Sequence, residues 1–515
     1  MKLVTASEMR AVDDRAIKER GIPSLDLMEN AGRGIFEYLQ EEILPESKDF
    51  RIIIICGRGN NGGDGFVVGR HLVEAGYPVD FLLTGADDKL SADCRANYER
   101  VCRLGRTVVQ LKEAGDIPDL STWDIIIDAI FGTGFSGSAE GIAAEVIEKI
   151  NAAEKYVVAI DAPSGLDVST GLAEGAAVVA DVTATLALPK PGLFVSPGRE
   201  LAGAVVVIPI GIPDEVVDSF GFKANLLTGE LVADLLPTPA PDGHKGDFGK
   251  VFILAGSPGL TGAACLAGNA AARSGAGLVT VGLPASLNPI LEVKLTEVMT
   301  CPLPEVKKRG ALALRARGEI RRCLADMDAV AIGPGIGRHH ETRELVRRLL
   351  DDIDVPMVID ADGLFALSGE DTPLVSGHGP MVLTPHPGEF ARLTGITPEG
   401  NPVDNYALVL EYARKYDTVI VLKGSPTIIG SPEGQVYLNP TGNYGMASGG
   451  SGDVLTGIIT AFLGQQMSPL EAALCGVYIH GLAGDLAIES INPRSLVAGD
   501  LITCLSDAFE MLENH

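Results

Sequence analysis

Three places in this chain bring glycine, small polar residues and a carboxylate together where a strand ends or a helix starts. The first is Gly57-Arg58-Gly59-Asn60-Asn61-Gly62-Gly63-Asp64-Gly65, between an apolar run over residues 51–56 and a stretch of helical period over 66–74. Glycines let backbone amides approach a ligand closely, and a new helix offers unpaired N–H groups and the positive end of its dipole, so an anionic ligand is expected there. Residues 57–62 match G-x-G-x-x-G. A dinucleotide loop also wants an acidic residue at the end of the second strand, whereas Asp80 stands at that strand's beginning. Asn60, Asn61 and Asp64 add polar side chains that backbone recognition does not need. The competing reading is tight packing alone.

Two further apolar runs end in polar loops. Residues 124–129 lead into Asp128-Ala129-Ile130-Phe131-Gly132-Thr133-Gly134-Phe135-Ser136-Gly137-Ser138, and residues 156–161 into Asp161-Ala162-Pro163-Ser164-Gly165. In an open α/β sheet ligands bind outside the carboxyl ends of the strands, so the three loops converge on one site. Alone, Asp128 or Asp161 reads as a helix cap or turn former. Together, Asn61, Asp128 and Ser164 supply hard oxygens suited to a weakly held cation such as potassium, which leaves Asp161 for proton transfer. Lys190, in Leu188-Pro189-Lys190-Pro191-Gly192, either holds a phosphate or a developing negative charge or is a solvated surface lysine.

The third place lies near the far end, where Ser448-Gly449-Gly450-Ser451-Gly452-Asp453 opens an apolar helix over 454–463. Asp453 by itself reads as an N-cap. The preceding glycines change that reading, because consecutive amides at a helix start form an anion hole and a carboxylate beside it can take the proton of a hydroxyl that attacks a phosphoryl group. Lys423-Gly424-Ser425-Pro426-Thr427 follows another apolar run and sets a cation and small polar groups where nucleotide phosphates could lie. His386, in Thr384-Pro385-His386-Pro387-Gly388-Glu389, is expected to bind rather than to act as a base. His480 sits on an apolar helix around 472–487 and reads as a core residue.

The elements that must position these groups alternate in both halves. Short runs rich in Val and Ile, at 51–56, 79–83, 124–129, 156–161 and 205–210 and then at 250–255, 278–282, 329–333, 357–360, 381–384 and 418–422, are separated by helical stretches. That order predicts an α/β protein with parallel sheets and crossover helices. Between residues 212 and 250 the pattern dissolves into Pro213, Pro237, Pro239, Pro241 and Gly243, which divides the chain into domains at 1–222 and 226–515, with 226–241 a lead-in.

Composition narrows the functional classes. Acidic residues number 68 against 41 basic ones, a formal charge of −27 with no basic run, which disfavours nucleic acid as a partner. The eight cysteines lack C-x-x-C spacing, so structural zinc and a disulfide framework are not expected. The N-terminus reads as a capping box from Thr5 to Glu8 with Met9, Val12, Ala16 and Ile17 inward, not as a leader. With no uncharged run long enough to span a bilayer, no membrane association and a cytoplasmic location are expected.

Taken with Leu27-Met28-Glu29-Asn30-Ala31-Gly32, the Asn-Asn-Gly-Gly-Asp loop and the Asp-x-Pro-Ser-Gly turn make the first 220 or so residues similar to the NAD(P)HX epimerase family. The second half resembles the ribokinase-like, ADP- or ATP-dependent NAD(P)HX dehydratases through Ala255-Gly256-Ser257, Thr261-Gly262-Ala263, Gly333-Pro334-Gly335-Ile336-Gly337, Asp360-Ala361-Asp362-Gly363 and the loops at 384–389, 423–427 and 449–453. The resemblance implies a Rossmann-like three-layer sandwich followed by a ribokinase-like three-layer α/β/α domain. It implies potassium on Asn61, Asp128 and Ser164, and a hydrated-nicotinamide site lined by Asn60, Asn61, Gly62, Gly63, Asp64, Gly132, Thr133, Gly134, Phe135, Ser136, Gly137, Ser138 and Asp161, with Asp161 and Lys190 catalytic. In the second half it implies hydrate contacts from Ala263, Gly337, His386 and Asp453, the last catalytic, and adenine-nucleotide contacts from Lys423, Gly424, Ser425, Pro426, Thr427 and Gly452. Magnesium, ADP or ATP as co-substrate and a homo-oligomer are also expected. One departure is Tyr444, where relatives often carry proline. The rival is a ribokinase-like small-molecule kinase with a non-catalytic dinucleotide-binding N-terminal domain.

Overall fold

The computed structural model describes residues 1–44, 48–238, 243–369, 374 and 379–513. Its strands begin with Ile52–Cys56 (β1), whose five side chains are all buried, and continue with Val79–Thr84 (β2), Val108–Leu111 (β3), Ile125–Ala129 (β4), Tyr156–Ile160 (β5), Val182–Leu186 (β6) and Ala204–Ile208 (β7). These form one sheet in the order β3-β2-β1-β4-β5-β6-β7, with every pairing parallel. Side chains alternate across it. Ile52 and Ile54 join one apolar cluster with Phe66, Val68 and Leu72 of the helix Asn60–Glu74, while Ile53 and Ile55 join another with Val146, Ile147 and Ile150 of the helix Ile142–Ala152. Burial on both faces is what a parallel sheet needs, and it explains the unbroken aliphatic run.

β3 and β6 are not visible in the apolar pattern, for separate reasons. β3 is an edge strand with Val109 46% exposed. β6 carries the buried Thr183 and Thr185, whose hydroxyls are satisfied locally: Thr183 donates to the Ala202 carbonyl at 2.7 Å.

The second sheet is built from Ala224–Leu226 (β8), Lys250–Leu254 (β9), Leu278–Pro284 (β10), Met299–Leu303 (β11), Ala329–Ile332 (β12), Met357–Ile359 (β13), Met381–Leu383 (β14), Val419–Leu422 (β15), Thr427–Gly430 (β16) and Val436–Asn439 (β17). Its order is β11-β10-β9-β12-β13-β14-β15-β16-β17-β8. Pairings are parallel except for β15 with β16 and β16 with β17, so the expected plan of strand and crossover helix gives way to a meander after β15. Val251 and Ile253 face one apolar cluster, Phe252 and Leu254 the other, giving helices on both sides.

The chain separates into two compact units, Met1–Phe222 and Lys223–His515. The stretch 226–241, expected to be a lead-in, starts on the last residue of β8 and contains the helix Gly229–Leu235, with Thr228 capping the Leu231 N–H; Pro239 and Pro241 lie outside the described residues. The helix Pro469–Ile488 is long and apolar enough to cross a membrane by length and composition. It carries Glu471 and Asp485 and packs Ala472, Leu474, Ile479 and Ala483 into the core of its unit.

Candidate active sites

In the first sheet the chain runs outward from β1 in opposite directions, to β2 on one side and β4 on the other, which opens a crevice above their carboxyl ends. A cavity of about 830 Å³ lies there, lined by Asn60, Asn61, Asp64, Gly132, Thr133, Gly134, Phe135, Ser136 and Asp161 together with Met9, Arg10 and Asp13 of the helix Ala6–Lys18. Residues 60–64 are not a loop. They are the first turns of the helix Asn60–Glu74, with Gly59 at the N-cap. Gly63 already donates to the Gly59 carbonyl, so the N–H groups left for a ligand are those of Asn60, Asn61 and Gly62. Gly62 and Gly63 do not line the cavity. A Cβ on Gly62 would stand 1.9 Å from the Gly57 carbonyl oxygen, and one on Gly63 2.7 Å from Met28 Sδ, so these glycines let the helix start hard against its strand. Gly137 and Ser138 also stand off the cavity: Gly137 turns the chain at φ 83° and Ser138 donates to the Ala139 carbonyl.

Asp161 follows β5 at φ 67°, the left-handed region that costs a side chain energy and that aspartate tolerates better than most. Its Oδ1 accepts from the Lys190 ammonium at 2.7 Å and its Oδ2 from the Thr133 N–H at 2.7 Å. Burial pushes its pKa up, but the Lys190 charge and these donors outweigh burial and hold the carboxyl below its usual range. Lys190 is neither surface nor free to meet a phosphate. It is fully buried and spends its three protons on Asp161, Thr185 Oγ1 at 3.0 Å and the Leu186 carbonyl at 2.8 Å. Its geometry is that of a positioning residue for Asp161.

Beneath the cavity Asp128 is fully buried and, instead of capping a helix, accepts from Ile130 N, Ser164 N and Ser164 Oγ at 3.1, 2.8 and 2.6 Å. Burial pushes its pKa up to about 6 against those hydrogen bonds. Asn61 is not satisfied locally. Both atoms of its buried amide lack a partner among the described residues, and a Cβ on Gly132 would stand 3.0 Å from Asn61 Oδ1 and 2.7 Å from Asp161 Oδ2, so only glycine fits between them. Asp80 accepts from Trp123 Nε1 at the far end of β2, away from the crevice.

In the second unit the helix Ser451–Gly464 starts after Gly450, which is the N-cap at φ 99°. Asp453 is therefore not the cap but the third residue of the first turn, beside the free amides. A Cβ on Gly452 would stand 3.3 Å from Lys423 Nζ. That ammonium is held by Asp360 Oδ1 at 2.8 Å, whose Oδ2 accepts from Thr456 Oγ1 at 2.7 Å. Burial lowers the Lys423 pKa, but Asp360 and Glu389 outweigh it and the lysine stays charged above its usual value. Burial and the neighbouring Asp360 push Asp453 up to about 7, with Lys423 opposing.

A cavity of about 680 Å³ brings Lys423, Gly424, Ser425, Pro426, Thr427, Gly452 and His386 together with Asn443, Ser448 and His480. His386 caps the helix Pro387–Thr394 through Nδ1, which accepts from Gly388 N at 3.0 Å. His480 is partly buried at the cavity wall and pushed down to about 4 by burial; its Nε2 lies 3.0 Å from the Ser451 carbonyl, so it carries the proton and holds the cradle loop in place. Ala263 and Gly337 do not line this cavity. They lie past the carboxyl ends of β9 and β12, where a Cβ on Gly335 would stand 3.1 Å from the Ala263 methyl group and Gly337 donates to Asp362 at 3.1 Å. Asp13, Asp360, Thr456 and Glu389 were not singled out from sequence. Asp360 and Glu389 left a signal there, as the first residue of a strand-end Asp-Ala-Asp-Gly and the last of the Thr384–Glu389 turn.

Two family descriptions match the chain: YjeF-related protein N-terminus over residues 24–192 and NAD(P)H-hydrate dehydratase over 251–506. The bifunctional NAD(P)H-hydrate repair enzyme of Moorella thermoacetica is 46% identical in an alignment covering 100% of this chain and 98% of that protein. The chain belongs to the bifunctional NAD(P)H-hydrate repair enzyme family. The family member from Thermofilum pendens is 38% identical over 99% of this chain and 97% of its own. Among solved structures, the ADP/ATP-dependent NAD(P)H-hydrate dehydratase of Bacillus subtilis, co-crystallised with ATP and Mg2+, is 34% identical, covers 56% of this chain and 98% of its own, and has a TM-score of 0.48.

Proposed function

We infer that this chain repairs hydrated NADH and NADPH: the N-terminal unit interconverts the R and S hydrates, and the C-terminal unit dehydrates the S hydrate at the expense of ADP or ATP. The observation that carries the reading is the helix start at Gly450–Asp453, where free amides and the Lys423 ammonium stand beside a carboxyl whose pKa is about 7. Such a carboxylate takes the proton of the ring hydroxyl as that oxygen attacks the terminal phosphoryl group, and the amides and Lys423 hold the charge that develops. The nucleotide departs one phosphate shorter; phosphate then leaves the ring carbon as the adjacent carbon loses a proton, and the ring double bond returns. The nucleotide enters as its magnesium complex, whose metal neutralises phosphate charge. Lys423–Thr427 and Gly452 hold it, and Ala263, Gly337 and His386 meet the hydrate.

In the N-terminal unit Asp161 moves the proton and Lys190 keeps it ionised. Potassium fits Asn61, Asp128 and Ser164: among the described residues the amide oxygen of Asn61 has no other partner and the buried Asp128 has no cation beside it. When bound it would supply the positive charge that Asp128 lacks. Family membership over the full length supports repair rather than the kinase alternative. The test is incubation of the purified chain with mixed NADH hydrates, with and without ADP or ATP, following the near-ultraviolet absorbance of reduced nicotinamide. Recovery only with nucleotide, and release of free phosphate, is expected; a stable phosphorylated product would instead establish a kinase. A homo-oligomer, also proposed, is read by light scattering.

A further inference from the structure

The epimerase reading, on which this inference rests, leaves the chemistry half supplied. Water added to a dihydronicotinamide ring puts a hydroxyl on the carbon bonded to the ring nitrogen. Inverting that carbon through ring opening requires a base for the O–H proton while the C=O bond forms and the C–N bond breaks. It also requires an acid for the nitrogen, which receives the electrons of that bond. Rotation about the adjacent C–C bond and reversal of both transfers close the ring in the other configuration, with no atom gained or lost. Asp161, ionised by Lys190, is one group; the other has no residue assigned to it.

Asp13 stands on the same cavity as Asp161, on a helix fixed against the catalytic loop. Thr5 and Glu8 form the capping box of the helix Ala6–Lys18, the Ala6 N–H donates to Ser169 Oγ at 3.0 Å, and the Val4 N–H donates to the carbonyl of Pro189, the residue before Lys190. Along that helix Ala6, Met9, Arg10, Asp13, Asp14 and Ile17 line the cavity, so Asp13 is a carboxyl on the helix face turned to the crevice. Its half-buried side chain accepts no hydrogen bond and forms no ion pair among the described residues. Its carboxyl is therefore open to a ligand in the cavity. We propose that Asp13 is a catalytic residue of the N-terminal unit, the acid that protonates the ring nitrogen while Asp161 receives the hydroxyl proton.

The charged groups around Asp13 suit the division of labour. Burial pushes it up to about 6, Lys190 pulls it down, and Asp161 and its neighbour Asp14 push it up; Asp64, Asp93, Arg10 and Arg58 complete the charged lining. Two carboxyls of one cavity thus titrate apart, Asp161 below and Asp13 above the usual range, the pattern by which environment assigns an acid and a base. Asp64 is more deeply enclosed and pushed well above its ordinary value by burial and by Asp161 and Asp13, so it gives up its proton least readily.

The experiment uses the full chain without nucleotide and follows R to S interconversion of NADH hydrates by proton NMR, with the uncatalysed rate subtracted. Asp13→Asn is expected to lower kcat about 100-fold or more with KM little changed, and Asp13→Glu to recover part of it. In the wild type the rate should fall as pH rises through about 6, a limb that Asp13→Asn lacks. Nucleotide-dependent dehydration of purified S hydrate in the same samples should be unchanged, and an unaltered thermal unfolding profile together with the partial recovery in Asp13→Glu certifies that the N-terminal unit is folded. Interconversion by Asp13→Asn at near wild-type kcat, or its loss in Asp64→Asn alone, overturns the proposal. Absence of interconversion in the wild type, with dehydration intact, overturns the epimerase reading itself.

Discussion

Asp453 and Asp161 carry opposite shifts because their nearest cations are arranged differently. Lys190 donates a hydrogen bond directly to Asp161, whereas Lys423 donates one to Asp360 and acts on Asp453 only at a distance. Asp453 therefore stays protonated up to about pH 7 in the empty site. As a base it must be ionised, so kcat/KM for dehydration is expected to fall as pH drops through about 7. The same shift has a stability consequence. A folded carboxyl raised from 3.8 to about 7 binds its proton more tightly than the unfolded chain does, so its contribution is present at low pH and lost as pH rises through that window. Asp453→Asn should unfold at a higher temperature than wild type at pH 8 and at the same temperature near pH 4, while losing dehydration; equal melting at pH 8 would contradict the raised value. Lys190→Met is expected to destabilise the N-terminal unit by about 3–5 kcal/mol, because it leaves Asp161 buried without its cation. Denaturant titration reads the loss, and epimerisation should vanish with it.

At the scale of elements, each site is a helix start placed at a strand end, and glycine sets how closely the two approach. Gly62 admits the Asn60–Glu74 helix to within contact of the Gly57 carbonyl, and Gly452 keeps the Ser451–Gly464 cradle beside the Lys423 ammonium. Gly452→Ala would push that ammonium away from the phosphate position. The expected result is a rise of about tenfold in KM for nucleotide, equivalent to ~1.4 kcal/mol of lost binding, with the melting temperature little moved. An unchanged KM would mean that Lys423 does not meet the nucleotide. The helix Ala6–Lys18 plays a different part, closing one side of the crevice with a stripe that includes Asp13.

The whole molecule joins two sheets with separate cores and separate chemistry on one chain. Asp161→Asn should stall repair of mixed hydrates with the R epimer left over, and Asp453→Asn should interconvert epimers without consuming them. Mixing the two variants should restore complete repair, because each supplies the unit the other lacks and the hydrate diffuses between molecules. Chromatography of the residual epimers checks this; persistent R hydrate in the mixture would show that the intermediate does not exchange.

Much of this was legible in residue order. The alternation of buried aliphatic runs with helical stretches predicted parallel sheets, which holds throughout the first sheet and in the second up to β15, since strands covered on both faces must be apolar at every position. The glycine-rich helix starts and strand-end carboxylates marked both candidate sites, because backbone chemistry of that kind is written locally. What order could not show was partnership across the fold. Whether Lys190 is surface or buried depends on Thr185, Leu186 and Asp161 enclosing it; whether Asp453 caps a helix or stands free depends on Gly450 taking the cap; and Asp13, one acidic residue among many on an exposed-looking helix, gains meaning only once that helix lies along the crevice. Local sequence specifies which groups exist and the elements that carry them. Charge state and pairing are set by burial and by neighbours far along the chain, which come together only in the folded protein.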